Sequence, residues 1–161
     1  MHTWIVVAHV LGAFIFIAAH GASMIASFRL RAVTDRGRVL ELLDLSSMSI
    51  GIMYVGLLIL LVAGIAAGFT GDFWGRGWIW AAIGTLVVLM AVMYAVATPF
   101  YGRMRAAAGD PRYVEKAADF KPPATPADLD ALPTSSRPFW LAAVGGIGLA
   151  VIIWLMIAKP F

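Results

Sequence analysis

The sequence predicts an all-α integral membrane protein, a four-transmembrane-helix bundle in up-down-up-down order with both termini outside. Four apolar stretches are each long enough to cross a bilayer core, which takes roughly 20 residues at a rise of about 1.5 Å each. The composition is 61% hydrophobic and 13% charged, whereas a soluble domain is about half apolar and about a quarter charged. Basic residues are concentrated in two of the connections between the stretches. These three observations predict the fold class.

The predicted spans cover residues 3–28, 46–69, 77–98 and 139–158, and residues 1–161 form a single integral membrane domain. None of the spans contains Asp, Glu, Lys or Arg. This absence counts against a proton pump or an ion-coupled transporter, whose relays usually need such groups. The lipid bilayer is therefore the first predicted partner of the chain.

The distribution of positive charge predicts the orientation. Ten of the 12 Lys and Arg residues lie between spans one and two or between spans three and four, and only Arg76 and Lys159 lie elsewhere. The positive-inside rule assigns the basic connections to the cytoplasm and both termini to the periplasmic or extracellular side of a bacterial inner membrane. Basic residues follow the first span instead of preceding it, which favours an uncleaved span over a signal peptide. The same distribution accounts for the net charge of +3 without nucleic acid.

The first two connections are short. A basic turn at residues 34–37 precedes an amphipathic segment that extends the second helix. The turn at residues 70–78 is rich in glycine and tryptophan, which predicts antiparallel neighbours for spans two and three with the tryptophans as membrane anchors. We expect the third span to end at Pro99.

The long cytoplasmic connection covers residues 101–137. Asp110 and Pro111 are a typical pair for a helix start, which predicts short surface helices through residue 120. The remainder holds four prolines and is expected to be an extended, semi-rigid linker. Ser135 and Ser136 then resemble an N-cap for the fourth span.

The first span carries a polar stripe. His9 and His20 are the only ionisable side chains in the predicted spans apart from tyrosines, and eleven residues advance a helix by nearly whole turns, so both imidazoles lie on one face. Ser23 and Ser27 continue that face. We expect this stripe to point into the bundle or toward a partner subunit, because an imidazole in hydrocarbon needs a partner.

Matching depths across the spans yields a candidate metal site of His20, Met24, Met53 and Met93, with Met48 and Tyr94 at a similar level. Imidazole and thioether are suitable ligands for Cu(I), and one His with one Met also ligates haem iron. The alternative is that the methionines fill gaps in the core and that His20 bonds Ser23, Ser49 or a backbone carbonyl. The sequence at the end of span one is weakly similar to that at the end of span three. Alignment of the two segments would place Tyr94 opposite His20.

His9 is the second candidate cofactor-binding residue, and it has fewer partners at its depth. A bis-histidine haem b would require a homodimer, a partner subunit or His2. Gly12, Gly64 and Gly68 are predicted packing residues, because small residues let membrane helices approach closely. No cysteine is present, which excludes thiolate sites, and no catalytic motif appears, which argues against enzymatic hydrolysis.

Several short segments together are similar to one family. They are residues 8–12 around His9, residues 28–31 at the exit of span one, Pro99 followed by Arg103 and Arg105, and residues 154–160. They resemble a family of four-helix bacterial integral membrane proteins of unknown function that is distantly similar to the membrane domain of the copper-resistance protein CopD. The resemblance implies a four-helix domain and a link to copper or redox cofactors through the first-span histidine, here His9.

Two functional hypotheses follow from the sequence. In the first, the bundle binds copper or haem through His20 or His9 with methionine, for copper handling or electron transfer. In the second, the protein is a cofactor-free accessory or scaffold subunit of a larger membrane complex, and the histidine stripe and the small-residue faces dock its partner.

Overall fold

The computed structural model describes residues 1–161 and contains only helices and connections, with no β-strand. The four long helices are α1 (His2–Leu30), α2 (Arg36–Thr70), α3 (Gly77–Ala108) and α5 (Arg137–Ala158). Between the last two lie the one-turn helix α4 (Pro111–Val114) and two 3₁₀ turns at Ala117–Asp119 and Pro126–Asp128. The all-helical prediction is confirmed.

All four long helices are long and apolar enough to cross a membrane. Most of their apolar surface is exposed, including large side chains such as Phe14, Val88 and Ile147. A soluble protein rarely exposes contiguous apolar patches larger than a few hundred Å². The four apolar helices therefore indicate a multi-pass membrane protein whose exposed surface contacts lipid.

Close backbone contact joins α1 to α2. A Cβ atom at Gly12 would lie 2.6 Å from the backbone nitrogen of Leu60, and one at Gly56 would lie 2.7 Å from that of Phe16. Only glycine permits this separation, because any side chain would collide with the facing backbone. Contacts run from His2 against Thr70 at one end to Ser23 against Ser46 at the other, so the two helices lie in opposite chain directions.

The second helix pair is α3 with α5. Gly77 lies against Phe161, Leu89 against Gly148, and the Arg137 guanidinium over the Phe100 ring, which again gives opposite chain directions. The two pairs contact each other only sparsely, through α1 with α5 and through α2 with α3. This arrangement leaves space between the two helix pairs.

The third helix does not end at Pro99, and the expectation that it would is wrong. It continues through the proline to Ala108 and ends at Gly109, whose φ of 85° is the left-handed conformation of a helix C-cap. A proline removes only one backbone donor, and the residues beyond it are small or packed against other elements, so the helix resumes.

The end of the bundle that carries residues 29–45 and 99–137, here termed the basic end, has its own hydrophobic core. Buried side chains from α1, α2 and α3 pack there with Leu129 and Leu132 of the long connection. The second half of the connection is therefore packed against the helix ends and is not an extended linker. Burial of two leucines three residues apart explains the difference, since they occupy one face of a turn.

Candidate functional site

The long helices enclose a cavity of about 140 Å³, here termed the central cavity, which all four of them line. Its walls are mostly apolar. The polar or polarisable side chains among its lining residues come from α1, α2 and α3: His20, Ser23, Met24, Ser27, Met53, Tyr54, Met90, Met93, Tyr94, Thr98 and Tyr101. The structure thus brings His20, Met24, Met53 and Met93 to one cavity.

His20 is held by packing and makes no side-chain hydrogen bond. Its ring is parallel to that of Phe16, with centroids 6.2 Å apart. Its Nε2 edge faces Gly145 of α5, where an added Cβ would lie 2.8 Å from that nitrogen. Ser23 and Ser49 bond elsewhere, to Ser46 at 2.7 Å and to the Leu45 carbonyl at 2.9 Å. The hydroxyl partners considered in the alternative interpretation of His20 are therefore engaged with other groups.

Met90 is a cavity residue that the sequence reasoning missed. It precedes Met93 by three residues on α3, so both thioethers lie on one helical face with Tyr94 and Tyr101. Met48 belongs to the same depth along α2 but lies outside the cavity, and it is 61% exposed. Met90 could have been found from the spacing of residues 90, 93, 94, 97 and 101, because residues at these intervals lie on a single helix face.

Hydroxyl groups lie at the wall of the central cavity nearest the basic end. Ser27 of α1 hydrogen-bonds Tyr101 of α3 there, and Ser23 bonds Ser46 of α2. These pairs connect three helices through groups that would otherwise be unsatisfied in an apolar environment. Ser23 and Ser27, which belong to the polar stripe on α1, are thus accounted for by interhelical hydrogen bonds.

The central cavity is partly open to the lipid-facing surface. Tyr54 of α2 and Tyr94 of α3 line it, and they are 50% and 67% exposed. The enclosed volume is below the roughly 300–1,000 Å³ typical of sites for drug-sized ligands. A single ion or a small apolar group fits within this volume, whereas a haem would extend beyond it.

His9 lies apart from the central cavity, at the contact of α1 with α2. Its Nδ1 bonds the Leu60 carbonyl at 2.8 Å, and its ring packs against Gly64, where a Cβ would lie 3.0 Å away. Gly68 similarly faces the Trp74 ring. The three predicted packing glycines thus lie at close contacts, and the two histidines of α1 do not share a site.

A charged cluster at the basic end is the second feature that the sequence did not predict. The Arg105 side chain is 4% exposed and donates to Asp44 at 2.8 Å, Asp110 at 2.7 Å and Ser47 at 2.8 Å. Hydrogen bonds from Arg112 and then from Arg105 hold the pKa of Asp110 well below its ordinary value, against the opposing effect of burial. The cluster ties α2, α3 and α4 together.

The nitrogen and sulfur donors among the side chains of the central cavity are one imidazole and four thioethers, and its oxygen donors are neutral hydroxyls. No group of three or more His, Cys, Asp or Glu side chains is placed to hold a metal ion. The cavity therefore lacks the hard or borderline donor sets preferred by Mg²⁺, Ca²⁺ and Zn²⁺. Comparison with protein-family models, curated proteins and solved structures finds no match to this chain.

Proposed function

We propose that the protein binds a single Cu(I) ion in the central cavity and serves in copper handling within the membrane. His20 supplies the imidazole ligand, and Met53 of α2 and Met93 of α3 supply thioethers, with Met24 one helical turn after His20 on α1. The observation that carries the proposal is the concentration of four of the chain's eight methionines around one histidine without a hydrogen-bond partner.

The chemistry of these groups supports Cu(I) over other ions. Thioethers are soft ligands that select Cu(I), and imidazole binds copper well. A monovalent ion with neutral ligands also brings little charge into the apolar cavity, where burial of charge is costly. The resemblance of the chain to a family distantly similar to the CopD membrane domain is a further support for copper. A haem is disfavoured by the cavity volume of about 140 Å³.

We further propose that the four helices form an up-down-up-down bundle in a bacterial inner membrane with the basic end in the cytoplasm. The opposite chain directions within each helix pair support this order. The concentration of Lys and Arg at one end supports the orientation.

Labelling of single cysteines tests the orientation, since the native chain has none. Gly75→Cys lies in the short turn, where a Cβ meets no other atom within 4 Å, and Ala118→Cys is an exposed position of the long connection. A membrane-impermeant maleimide should label residue 75 in intact cells and residue 118 only after lysis. The reverse pattern would overturn the orientation.

Copper titration of the purified protein tests the function. Under reducing conditions, the wild type should bind one Cu(I) per chain in competition with a chromophoric chelator. His20→Ala and the double variant Met53→Leu/Met93→Leu should each lose this binding. Met→Leu conserves volume and usually costs under about 1.5 kcal/mol of stability, so the variants should fold. Met48→Leu is the matched control, because Met48 lies outside the cavity.

Three outcomes would contradict copper binding. They are a metal-free protein at saturating Cu(I), binding that survives both site variants, and equal loss in Met48→Leu. A Soret band in the purified protein would favour haem instead. Stoichiometric co-purification of a second subunit with a colourless, metal-free preparation would favour the accessory role.

A further inference from the structure

A second cavity lies at the basic end, and nothing in the proposed copper site accounts for it. It measures about 770 Å³ and is bounded by α3 after Pro99, by the long connection and by the start of α5. Half of its lining residues are polar, whereas the walls of the central cavity are mostly apolar. We term it the basic cavity, because Arg103, Lys121 and Arg137 contribute to its walls and Asp128 is the only acidic residue there.

The negative charge of Asp128 is already neutralised by Arg103. Arg103 donates to both carboxylate oxygens of Asp128, at 2.9 and 3.0 Å, and its remaining donors reach the carbonyls of Pro122 and Pro123. This bidentate pair is a geometrically specific ion pair that leaves no free charge on either side. The basic cavity consequently carries the positive charge of its other two cations.

Those two cations have no carboxylate partner. Neither Lys121 nor Arg137 forms a salt bridge or donates a side-chain hydrogen bond to the protein, and the Arg137 guanidinium lies 5.4 Å from the Phe100 ring centroid. The hydroxyl of Ser136, next to Arg137, is also without a hydrogen-bond partner and lines the same cavity. Two unpaired cations and a free hydroxyl at one cavity are complementary to an anion with several oxygen acceptors.

The position of the basic cavity selects among such anions. Arg137 is the first residue of α5, and Phe100 lies two residues beyond the apolar stretch 77–98 of α3, so the cavity lies where the apolar helices emerge. Lipid phosphates lie at that level of a bilayer, and basic pockets at helix ends bind anionic headgroups. The apolar side chain of Phe120 also lines the cavity, is only partly buried and suits the adjoining glycerol and acyl region.

We propose that the basic cavity binds the phosphate headgroup of an anionic phospholipid through Lys121, Arg137 and Ser136. The site is independent of the central cavity, and copper binding is neither required for it nor altered by it. Inorganic phosphate has the same recognition chemistry, and the experiment below separates the two sources.

The full-length protein, purified in a neutral detergent, is titrated with phosphatidylglycerol or phosphatidylcholine, and bound lipid is counted by native mass spectrometry. Phosphatidylglycerol should bind with a stoichiometry of one and in clear preference to phosphatidylcholine. The double variant Lys121→Gln/Arg137→Gln should weaken this binding about 30-fold, from the attraction that each basic side chain contributes near anionic lipid.

The matched control is Arg36→Gln/Arg38→Gln, which removes the same charge from exposed positions outside the basic cavity. It should retain the binding of the wild type. Equal weakening in both double variants would show diffuse surface attraction and overturn the proposal. Unchanged binding in Lys121→Gln/Arg137→Gln would overturn it as well.

A competition arm identifies the source of the phosphate. Millimolar inorganic phosphate should leave phosphatidylglycerol bound, because the lipid also contacts the apolar wall. Displacement of the lipid by inorganic phosphate would overturn the assignment to a phospholipid. Circular dichroism of each variant confirms that the substitutions leave the bundle folded.

Discussion

The contact of α1 with α2 supplies a direct test of the packing, through substitution of Gly12 by alanine. The added Cβ would lie 2.6 Å from the Leu60 nitrogen, 2.9 Å from its Cα and 3.0 Å from the Gly56 carbonyl oxygen. Ordinary contact needs about 3.5–4.0 Å, so the helices must separate by about 1 Å at this point. All three neighbours are backbone atoms, and no side-chain rotation relieves the collision.

A gap of that size forfeits a quarter to a half of the dispersion energy of the atom pairs it separates. Overpacking of this kind typically costs about 1–3 kcal/mol. Alanine is favoured over glycine in a helix interior by up to about 1 kcal/mol, which offsets part of the loss. We therefore expect Gly12→Ala to lower the free energy of unfolding by about 1–2 kcal/mol.

Gly21→Ala is the matched control on the same helix, because a Cβ there meets nothing within 4 Å. Its stability should equal or slightly exceed that of the wild type. Reversible unfolding by sodium dodecyl sulfate in mixed micelles, followed by circular dichroism, measures both variants. Equal stability of the two variants would refute the close packing of α1 on α2.

The double variant Gly12→Ala/Gly56→Ala sharpens this test. The two glycines face each other, with the Gly12 carbonyl oxygen 3.1 Å from a Cβ at residue 56. Separation of the helices by the first substitution makes room for the second, so the combined loss of stability should be smaller than the sum of the single losses.

The remaining predictions concern the cavity and the basic end. Gly145→Ala should weaken Cu(I) binding with little loss of stability, because its Cβ displaces the flexible ring of His20, whereas Gly146→Ala, which meets nothing within 4 Å, should bind as the wild type. Asp110 has a lowered pKa when folded, so its stabilising contribution is full above the ordinary carboxyl pKa of 3.8 and is lost as pH falls through the folded value. Below pH 4, the free energy of unfolding should therefore depend less steeply on pH in Asp110→Asn than in the wild type. An unchanged slope in the variant would contradict this. Leu132→Ala should cost about 2–5 kcal/mol in the same unfolding assay, since its side chain is fully buried in the core of the basic end.

The four apolar helices could be predicted from sequence because a bilayer imposes a minimum length on an apolar segment. Helix ends outside the lipid were less predictable. Pro99 resembles a stop, yet α3 continues to Ala108, because contacts beyond the apolar stretch stabilise the next turns. Leu129 and Leu132 pack in the core of the basic end. Two leucines in a proline-rich segment are too short an apolar pattern to predict this packing from sequence.

Depth along the helices predicted which residues lie at one level of the bundle, and their role in a site stays a prediction. Residues at equal depth on helices of opposite direction meet whenever they share the inner face, and this places His20, Met53 and Met93 at one cavity. Depth alone could not separate Met48 from Met53, because rotation about the helix axis decides which methionine faces inward. The partners of Arg105 were unpredictable for a different reason: Asp44 and Asp110 are distant in sequence and charge alone does not specify pairing.

X-ray absorption at the copper edge of the Cu(I)-loaded protein tests the central claim most directly, because it reports the ligand atoms themselves. The account predicts a site dominated by sulfur scatterers with one imidazole in the wild type, and no copper bound at this site in His20→Ala. A site built only from nitrogen and oxygen ligands, or one with the same imidazole signal in the variant, would contradict copper binding at the central cavity.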